Sequence, residues 1–161
     1  LKLKVKRIMI ALVITSAILL IFFYGQINRG IRPLNQARDE TIALAKAKAG
    51  LKDAKDFYWY NGTETYFTLL GSDEEDEEIY VIVKQKGGDI LTLAVDETLS
   101  KSDAIQQTIS ECNPQKILEA RIGVIDEVPI WEVSFLSKNN RLGYYIIQLE
   151  DGQWLRTLEN I

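Results

Sequence analysis

The sequence predicts an α+β protein: an N-terminal transmembrane helix followed by two tandem units, each a helix packed on an antiparallel sheet. Three observations carry this reading. An uncharged apolar run occupies Ile8 to Tyr24, an amphipathic helical pattern occurs twice beyond it, and each of those helices is followed by alternating strand-like text punctuated by turn residues. The domain boundaries that follow are 1–30 for tail and anchor, 31–99 for the first unit and 100–161 for the second.

The apolar run, IMIALVITSAILLIFFY, has seventeen residues. As a helix it spans roughly 26 Å at 1.5 Å per residue, close to the roughly 30 Å hydrocarbon core of a bilayer. Preceding lysines can snorkel, and Phe22, Phe23 and Tyr24 suit the far interface. Thr15-Ser16-Ala17 offers small residues for signal cleavage, but seven apolar residues follow directly, which favours an uncleaved anchor. Leu1 stands first, so an initiator methionine is expected to have been trimmed or left out. All seven charged residues up to Arg38 are basic, whereas the rest of the chain holds 12 basic and 23 acidic residues, a charge of −11. Lys2, Lys4, Lys6 and Arg7 outweigh the more dispersed Arg29, Arg32 and Arg38, placing the N-terminus in the cytoplasm and the acidic body outside a single-pass membrane anchor. Such an acidic body excludes general nucleic-acid binding, which needs a basic face.

The first amphipathic helix is expected to open at Pro33, with Asp39 and Glu40 early, Lys46 and Lys48 late, Ile42, Ala45 and Ala49 on one face, and Gly50 as its stop. Strands are predicted at 55–60 and 65–70 around the Asn61-Gly62 turn, then at 79–85 and 90–95 around Gly87-Gly88. The second helix is capped at Ser100 to Asp103, has Ile105, Thr108, Ile109 and Cys112 on its face, and ends at Asn113-Pro114. Three strands follow, 117–125, 130–136 and 142–149, with a terminal stub at Trp154-Leu155-Arg156.

Alternation puts Trp131, Val133 and Phe135 on a buried face, with Glu132 and Ser134 pointing away. The same alignment turns Tyr80 and Ile82 inward, which leaves Ile79, Val81 and Val83 as a second apolar face of their strand. That face needs cover, either from the other unit or from a partner. Within Phe57-Tyr58-Trp59-Tyr60 one alternate pair is core and the other is open to contact. The candidate partner contacts are therefore Tyr58, Tyr60, Ile79, Val81 and Val83.

Little catalytic equipment is present. With no histidine and a single cysteine, Cys112, there is no serine triad, no activated thiol and no Cys-built zinc site. Serine-lysine catalytic spacing and phosphate-binding glycine loops are absent too. The acidic run Asp73 to Glu78 lacks the alternating ligands and turn glycine of a calcium loop and is expected to be a solvated, mobile loop. No cofactor and no metal site are expected.

The C-terminal unit reads Ile130-Trp131-Glu132-Val133-Ser134-Phe135, a polar turn at Lys138-Asn139-Asn140, then Tyr144 to Leu149 and Glu150-Asp151-Gly152. This resembles the hairpin of PepSY/cystatin-like domains, although their turn usually reads Asp-x-x-Thr-Gly. A short basic N-terminus, one anchor and two such units are together similar to the YpmB/TseB family of Gram-positive bacteria, over essentially the full chain. The resemblance implies a non-enzymatic, extracytoplasmic regulator of cell-wall elongation that associates with a class B penicillin-binding protein. Two alternatives stand beside it: a PepSY-type inhibitor or chaperone of a secreted protease, and a carboxylate-dependent hydrolase of wall glycan.

Overall fold

A computed structural model describes residues 2–159; side chains at 2–8, 10, 11 and 25–31 lie outside the described residues. The first helix, α1 (Lys2–Lys48), is continuous, with Pro33 inside it. The restart expected at Pro33 is therefore absent. Gly30-Ile31-Arg32 supplies no capping side chain ahead of the proline, and a proline within a helix removes one hydrogen bond without having to end it. The chain divides into two compact units, Leu1–Asp39 and Glu40–Ile161.

In the first unit Met9 and the large apolar side chains from Leu12 to Tyr24 are exposed. Among the described residues no helix is long and apolar enough to cross a membrane. Ile8, Ile10 and Ala11 of the expected span, and Lys2, Lys4, Lys6, Arg7 and Arg29 beside it, lie outside the residues whose side chains are described.

The second unit holds the end of α1 and two four-stranded antiparallel sheets. Gly50, with φ +68°, ends α1 as expected, and the N–H groups of Ala49 and Leu51 both donate to the carbonyl of Ala45. The first sheet follows in chain order as β1 (Asp53–Asn61), β2 (Thr65–Ser72), β3 (Glu78–Lys84) and β4 (Ile90–Ala94). A short 3-10 turn, Val95–Glu97, leads to α2 (Lys101–Cys112). Ser100 caps α2, its hydroxyl accepting from the Asp103 N–H at 3.1 Å, and Asn113 closes it in the left-handed region. The second sheet is β5 (Lys116–Ile125), β6 (Val128–Leu136), β7 (Leu142–Gln148) and β8 (Trp154–Glu159).

Thus the expected stub after Gly152 is a full fourth strand. Two local departures are equally physical. Asn61 pairs with Thr65, so the first hairpin closes through three residues, and the Asn61 carboxamide oxygen accepts from Trp59 Nε1 at 3.0 Å and Thr65 Oγ1 at 2.8 Å. The acidic run forms a hydrogen-bonded turn: the Asp73 carboxylate accepts from the N–H groups of Glu75 and Glu77, and Asp76 pairs with Lys52 at 2.6 Å.

The core has two main layers. Ala45 of α1, Leu51, Leu69, Ile79, Val81 and Val83 form one cluster. The larger cluster joins Tyr58, Tyr80 and Ile82 of the first sheet to Ala104 of α2 and to Ile122, Trp131, Val133, Phe135 and Ile147 of the second sheet. Trp131 is its pivot, fully buried, edge-on to Tyr58 at 5.9 Å and Tyr80 at 6.3 Å, with Nε1 donating to the Leu99 carbonyl at 2.8 Å. The inward face of Trp131, Val133 and Phe135 is as the alternation predicts.

Candidate functional site

All five residues expected to meet a partner lie in the interior: Tyr58, Tyr60, Ile79, Val81 and Val83 are each less than a tenth exposed. Both faces of β3 are apolar because both are covered from within the chain. The Tyr80 and Ile82 face meets the second sheet, and the Ile79, Val81 and Val83 face lies under the end of α1. Of the aromatic cluster, Phe57 and Trp59 are the half-exposed pair, packed on Phe67 at 5.8 and 5.1 Å.

Tyr58 and Tyr60 instead straddle β5 and lock the two sheets together. Tyr58 stands on the Trp131 side, while Tyr60 packs with Ile130 and Ile146 on the opposite face. The Tyr60 ring lies directly on Gly123, where an added Cβ would sit 2.3 Å from the ring. Beside it Arg121 lies 5.8 Å from the Tyr60 centroid and donates to the nearly buried Glu132 carboxylate at 2.6 Å. Burial raises the phenol pKa of Tyr58, Tyr60 and Tyr80, so these rings stay neutral in the interior.

The open surface lies elsewhere. A groove of about 670 Å³ runs between α2 and β8, walled by Gln107, Glu111 and Cys112 on the helix and by Trp154, Thr157 and Glu159 on the strand, over Tyr145 of β7. Gln107 Nε2 donates to the Gly152 carbonyl at 3.0 Å and to the Tyr145 hydroxyl at 3.3 Å, fixing the start of β8 against α2. Gly152 itself has φ +71° and would bring a Cβ to 3.0 Å from Leu99, so this close turn needs glycine. Burial, then Glu159 and Glu111, push the Cys112 thiol up to about 11, leaving it a protonated and unreactive wall residue at neutral pH. A second cleft of about 300 Å³ lies between the tips of the β1–β2 and β5–β6 hairpins and includes Tyr66, Lys84, Asp126 and Arg156. Among the described residues no group of three or more acidic, cysteine or histidine side chains is placed to hold a metal ion.

Sequence reasoning missed the groove residues Trp154, Glu111 and Glu159. The available signal was a tryptophan just after Asp151-Gly152, in text too polar to read as a core strand.

The fold is a small α+β body, two helix-covered antiparallel sheets clamped by aromatic rings. Residues 40–84 match the family model described as "Cell wall elongation regulator TseB-like domain". The fold is that of the "YpmB protein from Bacillus subtilis", with a TM-score of 0.68 and 24% sequence identity over 74% of this chain and 95% of that one. None of the curated proteins matches the chain. The likeness to the TseB-like regulator domain is carried by residues 40–84, and the likeness to the YpmB structure is one of fold.

Proposed function

We propose that the chain is a non-enzymatic, membrane-anchored regulator of cell-wall elongation that works by protein contact outside the membrane, with a class B penicillin-binding protein as its partner. The match of residues 40–84 to a cell wall elongation regulator domain carries the reading. Residues 1–30 serve as cytoplasmic tail and single-pass anchor, and the sheet-bearing halves 31–99 and 100–161 as the extracytoplasmic body. The anchor is supported by the uncharged run Ile8 to Tyr24 and by the eleven large apolar side chains between Met9 and Tyr24 that the chain leaves exposed. A contact role is supported by a surface that offers grooves, with the one thiol held protonated and no histidine to act as base.

Crosslinking in intact cells, with the full chain as bait and mass-spectrometric identification of what it captures, tests the proposal. Recovery of a class B penicillin-binding protein is expected. Recovery of a secreted protease in its place, or of no wall-synthesis enzyme, would contradict it.

A further inference from the structure

The groove beside β8 has the chemistry of a site for an extended cationic segment. Register places Trp154 opposite Ile147, Thr157 opposite Tyr145 and Glu159 opposite Gly143. These β8 side chains therefore stand on the same face of the sheet as Ile147 and Tyr145, which are core residues. Helix α2 lies mainly against β5, β6 and β7, leaving the groove between itself and this fourth strand. Trp154 is consequently 57% exposed on a face that elsewhere buries its rings. It is not loose, because Nε1 donates to Thr157 Oγ1 at 2.9 Å and fixes the ring at the groove wall.

Among the described residues, the charged side chains lining the groove are Glu111 on one wall and Glu159 on the other, with no basic one between them. Both carboxylates act on the same interior, since each raises the thiol of Cys112 between them. In addition β8 is the sheet's edge, pairing among the described residues with β7 alone, so its outer backbone groups are available to another strand.

We infer that this groove receives an extended segment of a partner protein bearing lysine or arginine, laid as a fifth strand along β8, with a cationic side chain between Glu111 and Glu159 and against the face of Trp154. Strand addition supplies sequence-independent backbone bonds, and the paired carboxylates with the indole select the positive charge. The inference does not depend on which protein supplies the segment or on the membrane anchor.

The test uses the full chain in non-ionic detergent and a blocked nonapeptide of alternating Lys and Val as probe, followed by tryptophan fluorescence and calorimetry. Saturable one-to-one binding is expected, weakening as salt rises, and weakened at least tenfold by Trp154→Ala and several-fold by either Glu111→Gln or Glu159→Gln. The two glutamine variants change exposed side chains and report even if the tryptophan variant misfolds. A matching Glu and Val peptide should not bind, and a Lys and Pro peptide, lacking alternate N–H donors, should bind far more weakly. Absence of saturable binding, equal binding of the acidic peptide, or affinity unchanged in both glutamine variants would overturn the inference. So would a concentration-dependent dimer abolished by Trp154→Ala, which would assign the groove to β8 of a second copy.

Discussion

Gly123→Ala should weaken the clamp between the two sheets, although it adds only one methyl group. The new Cβ would lie 2.3 Å from Cγ of Tyr60 and 2.5 Å from Cδ1 and Cδ2, more than 1 Å inside ordinary van der Waals contact. The ring has little room to retreat, since Tyr60 is 2% exposed and rests on the fully buried Ile130 and Ile146. Overpacking of this kind costs about 1–3 kcal/mol. For a body of this size each kcal/mol moves Tm by about 3–6 °C, so thermal unfolding of the full chain in detergent, followed by tryptophan fluorescence, will resolve the loss. A Tyr60→Ala background removes the obstructing ring, and there Gly123→Ala should cost almost nothing, giving a coupling of about 1–3 kcal/mol. A Gly123→Ala chain melting within 1 °C of the parent, or an equal loss in both backgrounds, would refute the reasoning.

Other perturbations follow from the same geometry. Arg121→Met leaves the nearly buried Glu132 carboxylate without its cation and should cost about 3–5 kcal/mol in urea unfolding, whereas Arg121→Met with Glu132→Leu should recover most of it. Thr68 is fully buried, and its hydroxyl has no hydrogen-bond partner among the described residues. Thr68→Val should therefore raise stability by about 1 kcal/mol, and a loss of that size would show that the hydroxyl is satisfied after all. Raised values for the Cys112 thiol and for Tyr58, Tyr60 and Tyr80 mean that the folded state holds these protons more tightly than the unfolded chain. Their contribution is present below the unfolded values and lost as pH rises, so Tm should hold to about pH 9, where the thiol would titrate when unfolded, and fall towards pH 11. Cys112→Ala should move the onset of that fall to about pH 10, and a Tm unchanged up to pH 11 would contradict the assignment.

Most elements were legible because their periodicity is strong. Ile42, Ala45 and Ala49 mark the end of α1, Ser100 and Asn113 bracket α2, and the alternation of Trp131, Val133 and Phe135 gives the inward face of β6. The strand β3 resisted for a definite reason: apolar residues occupy both of its faces, so alternation cannot say which face meets the helix and which the second sheet. The same ambiguity holds for Phe57 to Tyr60, where aromatic rings occupy both faces and alternation says only that one pair is core; that pair is Tyr58 and Tyr60. Strand β8 was shortened because its inward positions hold Trp154, Thr157 and Glu159 in place of a core pattern, a departure that follows from the groove they line. Gly123 offered a readable signal, an isolated glycine inside a strand that admits a close neighbour, but the neighbour lies 63 positions earlier and only the fold brings it there.

Regulation of wall elongation from outside the membrane is tested most directly by measuring incorporation of a fluorescent D-amino acid along the lateral wall of cells lacking this chain. Removal should alter lateral incorporation, and the intact chain should restore it, whereas residues 31–161 made without the anchor and kept in the cytoplasm should not. Incorporation that is unchanged by removal of the chain, or restored by the cytoplasmic body alone, would contradict the proposed function.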